Sequence, residues 1–261
     1  MGAQRSDPLG LNKARYGIIE PGLVRGPLRE QFGDYPGMVK QLLESHLAPG
    51  QFDVASIVTG AALPPPMAFK GYIIMGSVHG VCDGLPWFPA LAEWIRQVAA
   101  HKIPLVGICF GHQAIAQALG GEVGRSPGGW SVGVCDYQLV HSSAGGVVSG
   151  YAFHQDQVLE SPPAATTILN ADNCPLAGFV YEHAPIFSVQ FHPEFGDAYA
   201  RRLLEVTAGK SVPQDVADGG LASLGRPVYR ERFARAIAAA LTGAHEALVV
   251  EHLAKDAGLT A

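Results

Sequence analysis

The chain has 261 residues, 48% of them hydrophobic and 16% charged, with a formal net charge of −5. That length and apolar content suit one large α/β domain with a tail, and mild acidity without a basic run excludes nucleic acid or an anionic membrane as the main partner. Cys82, Cys109, Cys135 and Cys174 stand far apart with no Cys-x-x-Cys pair, which excludes a disulfide framework and fits a reducing, cytoplasmic compartment, and no apolar run approaches the roughly 18 residues of a membrane span.

Residues 1–14 are polar and irregular, and the loose acylation pattern at their start reads as chance. The first strand is expected at residues 16–19, with Glu20-Pro21-Gly22 at its carboxyl end, where open parallel sheets place ligands. Asp34 and Pro36 then cap and open a helix whose stripe of Met38, Leu42, Leu43 and Leu47 faces a core. Residues 52–58 and 71–75 read as the next two strands, separated by Leu63-Pro64-Pro65-Pro66, and the latter ends in Gly76-Ser77. Trp87, Leu91, Trp94, Ile95 and Val98 repeat at helical spacing, as packing against a sheet requires.

Residues 103–121 combine a strand, a sharp turn and a helix. Leu105, Val106 and Ile108 form a buried-strand run, while Ile115, Ala118 and Leu119 form a helical stripe that stops at Gly120-Gly121. Cys109 sits at the junction, with Gly107 and Gly111 two residues to either side, the spacing that lets a strained turn carry a nucleophile. The positive end of the following helix favours the thiolate, and the Phe110 N–H can donate to an oxyanion. Alternating strands and helices point to a doubly wound, mostly parallel sheet flanked by helices.

Beyond Gly121 the chain turns β-rich over residues 130–134, 137–140 and 146–153, which suggests a small excursion of hairpins over the active site. His141, His154, His183 and His192 stand on separate segments, so no metal site is expected, and no phosphate loop ends in Lys-Ser/Thr, so no cofactor is expected. Residues 186–194 read as a strand ending in His192-Pro193-Glu194. Extended residues two apart point the same way, so Glu194 can orient His192, which can serve Cys109 as its base. After a helix at 199–206, residues 209–227 read as a glycine- and proline-containing linker. The tail helices at 228–241 and 246–253, with Phe233, Ile237 and Leu241 four apart, suit packing on the domain, on a partner, or in a homodimer.

Gly107-Ile108-Cys109-Phe110-Gly111-His112-Gln113 and Phe191-His192-Pro193-Glu194 resemble the paired signature of class I glutamine amidotransferases. The resemblance covers residues 15–207 and none of residues 208–261. It implies a flavodoxin-like fold in which Cys109, His192 and Glu194 release ammonia from glutamine through a γ-glutamyl thioester. It also implies that Gly76 and its neighbour Ser77 complete the oxyanion hole begun by Phe110, that Gln113 holds substrate, and that Gly129, Trp130 and Ser131 meet the α-amino and α-carboxyl groups. His154, in Phe153-His154-Gln155-Asp156, is either a satisfied structural histidine or a residue facing the site. Gly76-Ser77, where many members carry Gly-Gly, resembles a stand-alone subgroup related to γ-glutamyl peptide hydrolases and to the amidotransferase unit of GMP synthase. Three readings stay open: delivery of ammonia to a separate synthetase subunit, free-standing hydrolysis of γ-glutamyl compounds, and a catalytically idle regulatory member.

Overall fold

The computed structural model describes residues 15–254 except 49, 141–145 and 245. The leader with its acylation pattern and His141 lie outside the described residues. In chain order the strands are β1 (Tyr16–Ile19), β2 (Phe52–Ala55), β3 (Tyr72–Ile74), β4 (Leu105–Ile108), β5 (Glu122–Arg125), β6 (Ser131–Leu139), β7 (Val147–His154), β8 (Asp156–Glu160), β9 (Ala165–Ala171), β10 (Cys174–Tyr181) and β11 (Ile186–Val189). The helices are α1 (Gly26–Phe32), α2 (Tyr35–Leu43), α3 (Phe88–Ala100), α4 (Phe110–Ala118), α5 (Asp197–Thr207), α6 (Gln214–Ser223), α7 (Arg230–Leu241) and α8 (Glu246–Ala254).

Nine strands make one sheet in the order β2-β1-β3-β4-β11-β10-β9-β6-β7. The five from β2 to β11 are parallel and short, and all but the edge strand β2 are buried on both faces because helices cover both. Alternation divides their side chains between two cores. Ile18, Ile73, Val106 and Phe187 pack with α2 and α7, whereas Ile19, Tyr72, Ile74, Leu105 and Ile186 pack with α3 and α4. Asp34 caps α2 as its position suggests, its carboxylate accepting from the Gly37 N–H at 2.7 Å.

Three segments differ from the sequence expectation. The second strand ends at Ala55 and gives way to a single 3-10 turn at Ile57–Thr59. The β-rich segment does not stack hairpins over the site: β10, β9, β6 and β7 continue the main sheet as its antiparallel half, and among the described residues only β5 and β8 form a separate ribbon. The reason lies in Val134, Tyr137, Leu139, Val148 and Tyr151, which are buried in the core shared with the parallel half. Finally, part of the expected linker is the helix α6. Its Gly219-Gly220 pair reads as loop, yet a Cβ on Gly220 would lie 2.8 Å from Val132 Cγ2, so the bare backbone lets the helix close on β6. The tail helices contribute Phe233, Ile237, Leu241, Val249 and Leu253 to the core on the α2 face.

Candidate active site

The site grows from the end of β4, the strand between β3 and β11. The Cys109 N–H donates to the Val189 carbonyl at 2.8 Å, and the chain then turns sharply, with Cys109 at φ 52°, ψ −101°. A non-glycine residue held there stores about 1–3 kcal/mol of strain, which the surrounding packing must over-determine. The flanking glycines show how. A Cβ on Gly107 would lie 2.7 Å from the carbonyl carbon and oxygen of Gly111, and one on Gly111 would lie 2.1 Å from the Ile74 carbonyl oxygen. Cys109 occupies the N-cap position of α4 without spending its sulfur on a cap, so the sulfur stands at the positive end of the helix.

Beyond Val189 the β11 run carries Gln190, Phe191 and His192 up to the elbow. The His192 N–H bonds the Tyr151 carbonyl at 2.8 Å, and its Nδ1 meets Glu194 Oε1 at 2.8 Å, with the two residues only 4% and 2% exposed. Burial opposes charge on this imidazole, but Cys109 and Glu194 together outweigh it and raise the His192 pKa to about 10. Gly76 lies between cysteine and histidine: a Cβ there would be 2.7 Å from His192 Cε1 and 3.7 Å from Cys109 Cβ. The ring of Phe195 stacks on the imidazole at 4.0 Å and 8°.

These residues open on a cavity of about 510 Å³, lined by Cys109, Phe110, Gln113, Ser77, Trp130, His154 and His192 among others. Gln113 donates to the Asp156 carbonyl at 2.8 Å and to Gln190 Oε1 at 3.2 Å, and the Gln190 amide in turn approaches Cys109 Sγ at 3.7 Å. The Ser77 hydroxyl is committed to the first strand's loop, donating to the Pro21 carbonyl and accepting from the His79 N–H, each at 3.0 Å. What Ser77 offers the cavity is therefore backbone. Trp130 lines the cavity against Phe153, at 5.4 Å between ring centroids. The adjacent Ser131 is buried opposite His154 in the β6–β7 ladder and is not among the lining residues. Gly129 takes φ +77° in open space.

His154 faces the cavity with its Nδ1 3.1 Å from the Asp156 carbonyl, and its buried Nε2 has no hydrogen-bond partner among the described residues. Burial and the neighbouring His192 lower its pKa to about 4, so it is neutral at pH 7. Two contributors escaped the sequence reading. Gln190 lies two residues before His192 in an extended run, and a polar residue there on the same face was the available signal. The Arg125 Nε to Asp156 Oδ1 pair at 3.2 Å lines the polar wall and joins residues too distant in sequence to signal each other. Among the described residues no group of three His, Cys, Asp or Glu side chains could hold a metal ion, and no helix is long and apolar enough to cross a membrane.

Chemically, a sulfur at a helix N-terminus beside a protonated imidazole, with backbone N–H groups close by, can attack a carbonyl carbon and stabilise the resulting oxyanion. Residues 40–203 match the family model described as glutamine amidotransferase class-I. The chain is similar to gamma-glutamyl peptidase 3 of Arabidopsis thaliana, 29% identical over 165 residues that span 58% of this chain and 65% of the relative. It is also similar to the glutamine-hydrolyzing GMP synthase subunit of Pyrococcus furiosus, 35% identical over 97 residues, or 36% of this chain and 52% of the relative. A solved glutamine amidotransferase from Methylobacillus flagellatus shares the fold, with a TM-score of 0.67 over 95% of this chain and 98% of that one, at 21% identity.

Proposed function

Since the chain belongs to the class I glutamine amidotransferase family, with its flavodoxin-like sheet, we propose that it cleaves the γ-amide bond of glutamine or of a γ-glutamyl compound by acyl transfer through Cys109. The Cys109 thiolate attacks the γ-carbonyl carbon, and the oxyanion that forms is held by the N–H groups of Phe110 and Gly76. His192 gives its proton to the leaving nitrogen as the C–N bond breaks, releasing ammonia or an amine and leaving a γ-glutamyl thioester. A water then attacks the thioester, His192 takes the water's proton, and the C–S bond breaks to return the thiolate and free glutamate. Glu194 holds the imidazole ring through the 2.8 Å bond to Nδ1. Gln113, and backbone around Trp130, receive the glutamyl end.

The observation that carries this reading is the strained elbow of Cys109 set beside an imidazole whose pKa is raised to about 10. A pair of that kind keeps its imidazolium at neutral pH, which a thiolate nucleophile requires. The family match at residues 40–203 supports a catalytic unit within residues 15–207, to which residues 208–261 are appended, and thiolate chemistry suits a reducing cytoplasmic setting. The Pyrococcus furiosus relative, whose name makes it one part of a larger synthase, favours a second reading in which a separate synthetase receives the ammonia.

The test is hydrolysis by the purified chain of glutamine and a panel of γ-glutamyl dipeptides, with Cys109→Ser as the blank. Glutamate release that vanishes in the variant is expected. Equal release by both proteins would sink the assignment of Cys109. Slow cleavage of glutamine alone, accelerated by a co-purifying synthetase, would support the second reading.

A further inference from the structure

The cavity at Cys109 has two unlike walls. One is polar, formed by Gln113, Arg125, His154 and Asp156. The other starts at His192 itself, whose ring lies flat on Phe195, and Phe195 in turn stacks with Tyr35 at 6.3 Å and meets the edge of Tyr199 at 4.6 Å. From there the lining runs on through Leu28 of α1 and Leu203 and Val206 of α5, with Arg25, Thr207 and Ser211 also part of it. The hydroxyls of Tyr35 and Tyr199 are 3.4 Å apart and bonded to each other, so both rings offer the cavity mainly apolar surface. An arm whose lining is mostly apolar gains from burying an apolar group, and Arg25 among the lining can meet the carboxylate of a departing amino acid.

A γ-glutamyl substrate is itself divided. Its α-amino and α-carboxyl groups need polar partners, which the first wall provides. The leaving nitrogen must lie on the side of the acid that protonates it, and whatever that nitrogen carries continues past His192 along the second wall. We infer that this arm is a leaving-group subsite, and that the preferred substrates are γ-glutamyl amides whose amine bears a large apolar, aromatic side chain. The inference rests on the thioester reading above and narrows it. Ammonia from glutamine would leave the arm empty.

The experiment compares kcat/KM for γ-glutamyl-phenylalanine and γ-glutamyl-glycine with the whole chain, and the binding of both dipeptides to Cys109→Ser by calorimetry. The phenylalanine compound is expected to lead by about tenfold or more in each, the discrimination an apolar pocket supplies. Leu203 and Val206 are half-buried on α5, so Leu203→Asp and Val206→Asp give two independent variants, each checked for folding by its thermal melt. The phenylalanine to glycine ratio should fall towards one in both, through KM. A wild-type ratio near one, or a ratio that survives both substitutions, overturns the inference while Cys109-dependent glutamate release still upholds the thioester chemistry. Absence of Cys109-dependent release from both dipeptides overturns the inference, and its absence from glutamine as well overturns the thioester reading too.

Discussion

At the elbow and in the antiparallel strands, glycine marks the places where elements come closest, but what it faces differs. Gly107 and Gly111 approach backbone: the carbonyl of Gly111 in one case and that of Ile74 in the other. Gly124, Gly150 and Gly178 approach the side chains of Leu159, Phe191 and Leu169. Backbone carbonyls held in a helix or a parallel ladder cannot step aside, whereas a side chain can change rotamer or lean away. The position of the Cys109 sulfur is therefore set by contacts with backbone, whereas the close approaches in the antiparallel strands are made to side chains. Gly111→Ala breaks this comparison most severely. With a Cβ placed 2.1 Å from the Ile74 oxygen, either β3 moves or the elbow does, and a loss of about 3 kcal/mol or more is expected on urea denaturation. A loss below about 1 kcal/mol would show that the elbow adapts after all.

Next in size is Glu194→Gln, which keeps the shape of the side chain and removes its charge. Glu194 is one of the two groups that hold His192 at about 10, so the imidazole pKa should drop and the alkaline limb of kcat/KM should move to lower pH. The fall in kcat/KM at neutral pH should be about 100-fold, within the usual contribution of a positioned acid or base. The folding equilibrium carries the same signature. A histidine raised in the folded state adds stability that is fully present below its ordinary value near 6.5 and is lost as pH rises towards 10. Thermal melts of the wild type should therefore weaken over that interval, and those of Glu194→Gln should weaken less. Parallel pH profiles for the two proteins would contradict the coupling.

What could be read in the sequence follows the same division between local and long-range causes. The elbow was legible because Gly107, Cys109 and Gly111 carry its whole signal within five residues, and α2 was legible because Asp34 and Pro36 adjoin the stripe they start. Alternation also placed Glu194 within reach of His192. The merging of β10, β9, β6 and β7 into the main sheet was not legible, since it depends on which edge β11 leaves free. Nor was α6, whose glycine pair is unfavourable locally and useful only against Val132. Gln190 stood in plain view inside an apolar run, but its partners Gln113 and Cys109 come from another strand and helix.

Arg230 tests how far the appended helices reach into the site. It stands at the start of α7, outside residues 40–203, and its guanidinium donates to the carbonyls of Pro193 and Glu194, each at 3.3 Å. Arg230→Met keeps much of the aliphatic stem and removes both donors. A cost of about 1–2 kcal/mol in stability is expected from losing hydrogen bonds to a charged group. Since the bonds brace the turn that carries His192 and Glu194, kcat/KM should also fall about tenfold, as misplacement of positioned groups does. Unchanged kinetics with reduced stability would confine Arg230 to folding.

The smallest effect is expected at Gly124→Ala on β5, and it completes the contrast with Gly111. The added Cβ would lie 2.8 Å from Leu159 Cδ1, which at face value is also a clash. Leu159 is 39% exposed, however, and the atom in question is the far end of its side chain, so a rotamer change into solvent relieves the contact. Alanine also restricts the unfolded chain relative to glycine, which offsets part of any residual strain. The urea midpoint should stay within about 0.5 kcal/mol of the wild type, and γ-glutamyl turnover should be unaltered. A penalty approaching that of Gly111→Ala would mean that the β5–β8 ribbon is as rigid as the elbow, and that side-chain contact alone does not make a close approach tolerant.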